Sequence, residues 1–129
     1  MKVKDIMIKP QMIGPGANMR DACELMKGLR VDSLLVIQDN KLIGILTRSD
    51  IVHKLVPSNK VPSTVKVKEI MTKDVISIEE TENVDFAAAT MAKKGFSHIP
   101  ITLKGKIVGM LTSEEILKNA PEIGIEALF

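Results

Sequence analysis

The chain has 129 residues, of which 18 are basic and 16 acidic, for a formal charge of +2. That balance gives no basic footprint of the kind a nucleic acid recruits, and the three aromatic residues, Phe86, Phe96 and Phe129, offer little for bases to stack on. The single cysteine, Cys23, rules out an internal disulfide framework or a cysteine-cluster metal site.

No run of about 18 apolar residues is present to span a membrane, and no apolar signal core follows Met1-Lys2-Val3-Lys4-Asp5. The expected location is the cytoplasm. In chain order, the first expected element is an extended segment over 11–13. Asn18 then precedes Met19, Ala22, Cys23, Met26 and Leu29, which recur at helical spacing and make one apolar face. The Asn can cap the first free N–H groups. Two short apolar runs, 33–37 and 42–46, flank a polar turn at Asp39-Asn40 and read as a hairpin. A short helix is expected from about 49 to 55. The stretch 57–66 is rich in turn and breaker residues and reads as a linker.

The same order then returns. An extended segment covers 75–78. Asn83 precedes Val84, Ala87, Ala88 and Met91. A hairpin follows over 99–111, turning at Lys104-Gly105, and a helix over about 114–120. Pro100 has no N–H to give a ladder, so its strand is expected at a sheet edge or beginning there. His53 is expected to be solvated and Cys23 to lie in the core. The apolar tail 121–129 has no earlier counterpart. Packing on the module, reinforcing a dimer and docking on a partner all remain open for it.

The return is a true internal repeat. Val3, Lys4, Ile6 and Met7 match Val67, Lys68, Ile70 and Met71, and from the first helix onward Asn18, Ala22, Met26, Gly44, Leu46, Thr47 and Ile51 match Asn83, Ala87, Met91, Gly109, Leu111, Thr112 and Ile116. The expected organisation is a first copy over 1–56, a linker over 57–66, a second copy over 67–120 and the tail. One copy has too little core to stand alone. The expected fold is α/β (α+β), two strand-helix-hairpin-helix repeats related by a pseudo-two-fold axis.

An acid-Ile-Met opening and a Gly-x-x-Thr-x-x-acid close, each present twice, resemble a tandem pair of CBS (cystathionine β-synthase) domains over roughly residues 3–120. The resemblance implies a stand-alone regulatory module, not an enzyme. It implies a cleft between the copies for an adenosine-type ligand, namely AMP, ADP, ATP or an S-adenosyl compound such as S-adenosylmethionine. It also implies a homodimer and a regulated partner protein.

The closing motifs are Gly44-Ile45-Leu46-Thr47-Arg48-Ser49-Asp50 and Gly109-Met110-Leu111-Thr112-Ser113-Glu114-Glu115. Their Thr and acid can form a capping box. The same geometry can serve a nucleotide, because a helix N-terminus favours phosphate. By the resemblance Asp50 takes the ribose hydroxyls, Thr47 and Ser49 contact phosphate or ribose, and Arg48 pairs with phosphate. Thr112, Ser113 and Glu115 hold the matching places. Glu115 is one methylene longer than the family's Asp, which misplaces it for ribose but suits it to a capping box.

For the base, the resemblance implies the opening loops and the turns after the first helices. These supply Ile8 and Lys9, with Thr72, Lys73 and Asp74 in the second opening, then Val31 and Ser33, and Phe96, His98 and Pro100. The first loop has lost its Thr and gained Pro10. The sequence leaves open which loop faces which closing motif. A second reading is a structural or dimerisation module whose clefts have decayed. Two distant histidines and one cysteine form no metal set or catalytic triad.

Overall fold

The computed structural model describes residues 1–119 and Pro121. The tail 121–129 therefore lies, Pro121 apart, outside the described residues. The chain divides into two compact units whose boundaries cut across the repeats: Gln11–Val75, and Met1–Pro10 together with Ile76 onward. Each unit takes its sheet and its longest helix from one copy and its opening segment from the other.

Unit Gln11–Val75 contains β1 (Met12–Ile13), α1 (Met19–Leu29), β2 (Ser33–Gln38), β3 (Lys41–Thr47), α2 (Arg48–Asp50), which continues as a π-helical turn over Ile51–Leu55, and α3 (Val67–Ile70). Its sheet runs β1-β2-β3, with β1 parallel to β2 and β2 antiparallel to β3. The other unit contains β4 (Ile78–Glu79), α4 (Val84–Lys94), β5 (His98–Leu103), β6 (Lys106–Thr112) and α5 (Ser113–Lys118), with the sheet β4-β5-β6 in the same sense.

Both hairpins close through two residues at positive φ, Asp39 and Asn40 in one and Lys104 and Gly105 in the other. Such turns match the right-handed twist of the strands they join. Each unit has its own core. Met19, Ala22 and Met26 of α1 pack with Leu34, Val36, Leu46, Val67 and Ile70. Val84, Ala87 and Met91 of α4 pack with Ile99, Ile101, Leu111 and the borrowed Val3 and Ile6.

The borrowed segments are fixed by backbone bonds. Val67 N donates to Ala17 O at 2.8 Å and Met19 N to Val65 O at 2.8 Å, while Val3 N donates to Glu82 O at 2.9 Å and Val84 N to Met1 O at 3.0 Å.

Four expectations change. Leu29 is exposed, so the buried face of α1 ends at Met26. Cys23 is half-buried beside the core, and its thiol is pushed up by burial and then by the nearby Glu24 carboxylate. Asn18 caps α1 by accepting from Asp21 N at 2.9 Å, but Asn83 makes no side-chain cap. The Asn18 amide is itself held by the Asp21 carboxylate at 3.1 Å, and the counterpart of Asp21 is Phe86, which has nothing to hold it.

Pro100 lies inside the central strand β5, not at an edge. Two features accommodate it. Its antiparallel partner Met110 turns both backbone groups away, to Ile8. On the other side the parallel ladder starts at Ile101, one residue later than in the first copy, where Leu35 N donates to Gln11 O at 2.8 Å. The proline removes that one bond, and the ladder shifts past it.

Candidate functional site

The opening loops cross the closing motifs of the opposite copy. In unit Gln11–Val75, Ile45 and Thr72 exchange two backbone bonds, of 2.9 and 2.8 Å. Gly44 makes this approach possible: a Cβ there would stand 2.6 Å from Met71 Sδ and 3.0 Å from the Thr72 carbonyl oxygen. Gly109 plays the same part against Met7 in the other unit, where Ile8 and Met110 exchange two bonds of 2.9 Å. The paired Gly and Met of the repeat are thus one contact, made twice across copies.

The crossing brings Thr72 to Asp50. Asp50 is buried at 6% exposure. Its Oδ2 accepts the Thr47 N–H at 2.9 Å and the Thr47 hydroxyl at 3.2 Å. Its Oδ1 accepts the Thr72 hydroxyl at 2.8 Å and pairs with the Lys54 ammonium at 2.9 Å. Asp50 N in turn donates to Thr47 Oγ1 at 3.3 Å, which completes a capping box. Lys54, in the π-helical turn, also donates to Ile70 O at 3.1 Å and Thr72 Oγ1 at 3.2 Å.

Around this cluster, Arg48 is exposed and pairs with the Asp32 carboxylate at 3.4 Å. Ser49 lies beside His53, whose Nδ1 is 2.9 Å from Ser49 O and 3.2 Å from its hydroxyl. His53 is exposed, as expected, though not without partners. Ser33 is buried and paired with Thr47 across β2 and β3. Val31 is half-buried, and Lys73 and Asp74 are exposed on the loop after Thr72.

The other unit has the same frame with different side chains. Ile8 holds the place of Thr72 and has no hydroxyl to offer. Thr112 accepts from Glu115 N at 3.2 Å, but the Glu115 carboxylate lies 3.7 Å from Lys118 and closes no capping box. The longer side chain reaches outward along α5 where Asp50 turns back. That overturns the expectation that Glu115 suits a capping box. Lys118 is held above its ordinary range by its hydrogen bond to Glu114 and by the charges of Glu114 and Glu115. Ser113 N donates to Ser97 O at 3.0 Å, and Ser97 Oγ is 3.1 Å from His98 Nδ1. Phe96 packs against the core, Pro100 is fully buried, and Lys9 is exposed.

The two departures from the repeat, at Ile8 and Glu115, therefore meet in one unit, and the two intact motifs, at Thr72 and Asp50, meet in the other. Sequence reasoning missed Lys54. Its signal is a lysine four residues after an acid, a spacing that pairs side chains on one helical face. No group of three or more metal-ligating side chains occurs among the described residues, and no described helix is long and apolar enough to cross a membrane.

The CBS domain family matches residues 3–57 and again 67–122. The chain belongs to the CBS-domain family. The uncharacterized protein MJ0450 of Methanocaldococcus jannaschii is 31% identical over 121 residues, covering 92% of this chain and 65% of its own length. A Methanopyrus kandleri relative, 36% identical over 89 residues, is covered over 45% of its length. The chain thus spans about half to two thirds of these curated relatives. Among solved structures, the CBS domain protein NE2398 superposes with a TM-score of 0.89 at 29% identity, covering 94% of this chain and 98% of that one. The CBS domain pair of MJ0100, in complex with 5′-methylthioadenosine and S-adenosyl-L-methionine, gives 0.82 at 30% identity, covering 95% and 97%. The chain is a tandem CBS pair of mixed α and β structure, the architecture of a regulatory module.

Proposed function

We propose that this CBS pair senses an adenosine-type ligand, AMP, ADP, ATP or S-adenosylmethionine, at the Asp50 cluster of unit Gln11–Val75. The observation that carries the reading is the meeting of Asp50, Thr47 and Thr72 within hydrogen-bond distance. A buried carboxylate beside an open loop can accept a ribose diol. Arg48 and Ser49 lie on the same helical turn to meet phosphate, and the backbone of Thr72, Lys73 and Asp74, with Val31 and Ser33, edges the base. That the related MJ0100 pair holds adenosine compounds supports the ligand class.

The mechanism is binding without bond-making. Ligand favours one conformation by its differential affinity, and a partner protein reads the result. The protein acts in the cytoplasm as a homodimer. Thr112, Ser113 and Glu115, with Ile8, Lys9, Phe96, His98 and Pro100, hold the matching places in the other unit. A decayed, structural role is favoured there specifically, because Ile8 and Glu115 withdraw two of the polar partners.

Mass spectrometry of the purified protein for bound nucleotide, followed by melting with each ligand, tests the proposal. Ligand at 100 times Kd should stabilise the fold by about 2.7 kcal/mol. Absence of any shift with all four ligands at millimolar concentration contradicts it.

A further inference from the structure

The Asp50 carboxylate is saturated. A carboxylate offers about four acceptor positions, and Asp50 fills them with the Thr47 N–H, the Thr47 hydroxyl, the Thr72 hydroxyl and the Lys54 ammonium. A diol that binds this carboxylate must therefore displace at least one of the four. The Thr47 N–H belongs to the backbone of the strand-helix junction. The Thr47 hydroxyl is engaged by Asp50 N as well. Thr72 rides on a segment pinned by two backbone bonds to Ile45. Lys54 alone is long, flexible and 43% exposed at its side chain.

We infer that Lys54 is an internal competitor of the ligand, and that its displacement makes the site select adenosine compounds carrying an anionic group over neutral adenosine. The inference rests on Asp50 being the diol acceptor. A neutral ligand that takes Asp50 separates the Asp50–Lys54 pair and leaves the ammonium without a counter-ion. An anionic ligand supplies a replacement. The four-carbon stem lets the ammonium swing to a phosphate while the backbone stays in place. The exchange then conserves ion pairing, so the penalty falls on neutral ligands. The other unit differs: the counterpart of Lys54 is Asn119, whose amide donates to Glu115 O at 2.8 Å, and the lysine beside its acid, Lys118, stands 3.7 Å from Glu115, against 2.9 Å for Lys54 and Asp50.

Calorimetric titration of AMP and of adenosine into the wild type, Lys54→Met, Lys54→Arg and Asp50→Ala tests this, with circular dichroism melting to establish that each variant is folded. Wild type should prefer AMP. In Lys54→Met adenosine should bind more tightly and the preference should shrink by about fivefold, the upper end for a partly exposed ion pair, while Lys54→Arg keeps it. A wild type that binds neither compound while Lys54→Met binds adenosine also supports competition. An unchanged preference in Lys54→Met overturns the inference and leaves the ligand site standing. Undiminished AMP binding in Asp50→Ala, or no binding by any protein, overturns the site and the inference with it.

Discussion

Asp50 is a capping residue, and the proposed function gives the same side chain a second role as the ligand's acceptor. Its carboxylate closes the Thr47 box while holding the loop of the other copy through Thr72. Asp50→Ala should therefore cost stability even without ligand, by about 1–3 kcal/mol for the hydrogen bonds left unmade, read as a lower urea midpoint at unchanged slope. Glu115→Ala should cost less, because that carboxylate makes only a loose pair with Lys118.

Glu79 gives a pH-dependent counterpart. Its carboxyl is held below the ordinary range by the Thr102 hydroxyl and then by the Lys104 N–H, against a smaller opposing effect of burial. A lowered folded pKa contributes stability above the unfolded value that disappears as pH falls through the folded one. The melting-temperature gap between wild type and Glu79→Ala should be full near neutral pH and close on acidification below the normal carboxylate range. A gap constant with pH contradicts this.

Thr47 and Asp50 were legible because a motif at fixed spacing is local. Their partner Thr72 was legible as a loop residue but not as their partner, since no local pattern encodes a contact 22 residues away.

At the scale of elements, the repeat predicted the order of strands and helices but not the details that depend on neighbours. Pro100 read as an edge residue because a missing N–H normally forbids an interior strand. A two-residue β4 and a β6 bonded to Ile8 remove the demand for that N–H, and neither is visible around Pro100 itself. The paired glycines make the same point. Gly44→Ala should destabilise by about 1–3 kcal/mol, because the new methyl meets Met71 and the Thr72 carbonyl. Gly28, inside α1, has nothing within 4 Å of an added Cβ, so Gly28→Ala should stabilise by about 1 kcal/mol through helix propensity. Chemical denaturation of the two variants side by side measures the contrast, and equal shifts would contradict it.

Across the whole molecule, the repeat was plain in the sequence, while the exchange of opening segments was not, because either loop could have faced either motif. The exchange sorts the sequence differences into one intact cluster and one altered one. Each unit also leaves apolar side chains exposed on its helices, Leu25 and Leu29 on α1 and Phe86 on α4. Covering such surface is the proposed role of a second copy. Light scattering at micromolar concentration should give twice the chain mass, and a monomer would remove that proposal.

The central claim is that ligand binding belongs to the unit holding Asp50 and Thr72. Calorimetric stoichiometry measures it most directly, with AMP titrated into wild type, Asp50→Ala and Glu115→Ala. The prediction is one molecule per chain for wild type and Glu115→Ala, and none for Asp50→Ala. Binding that survives Asp50→Ala and disappears in Glu115→Ala would place the site in the other unit and contradict the account.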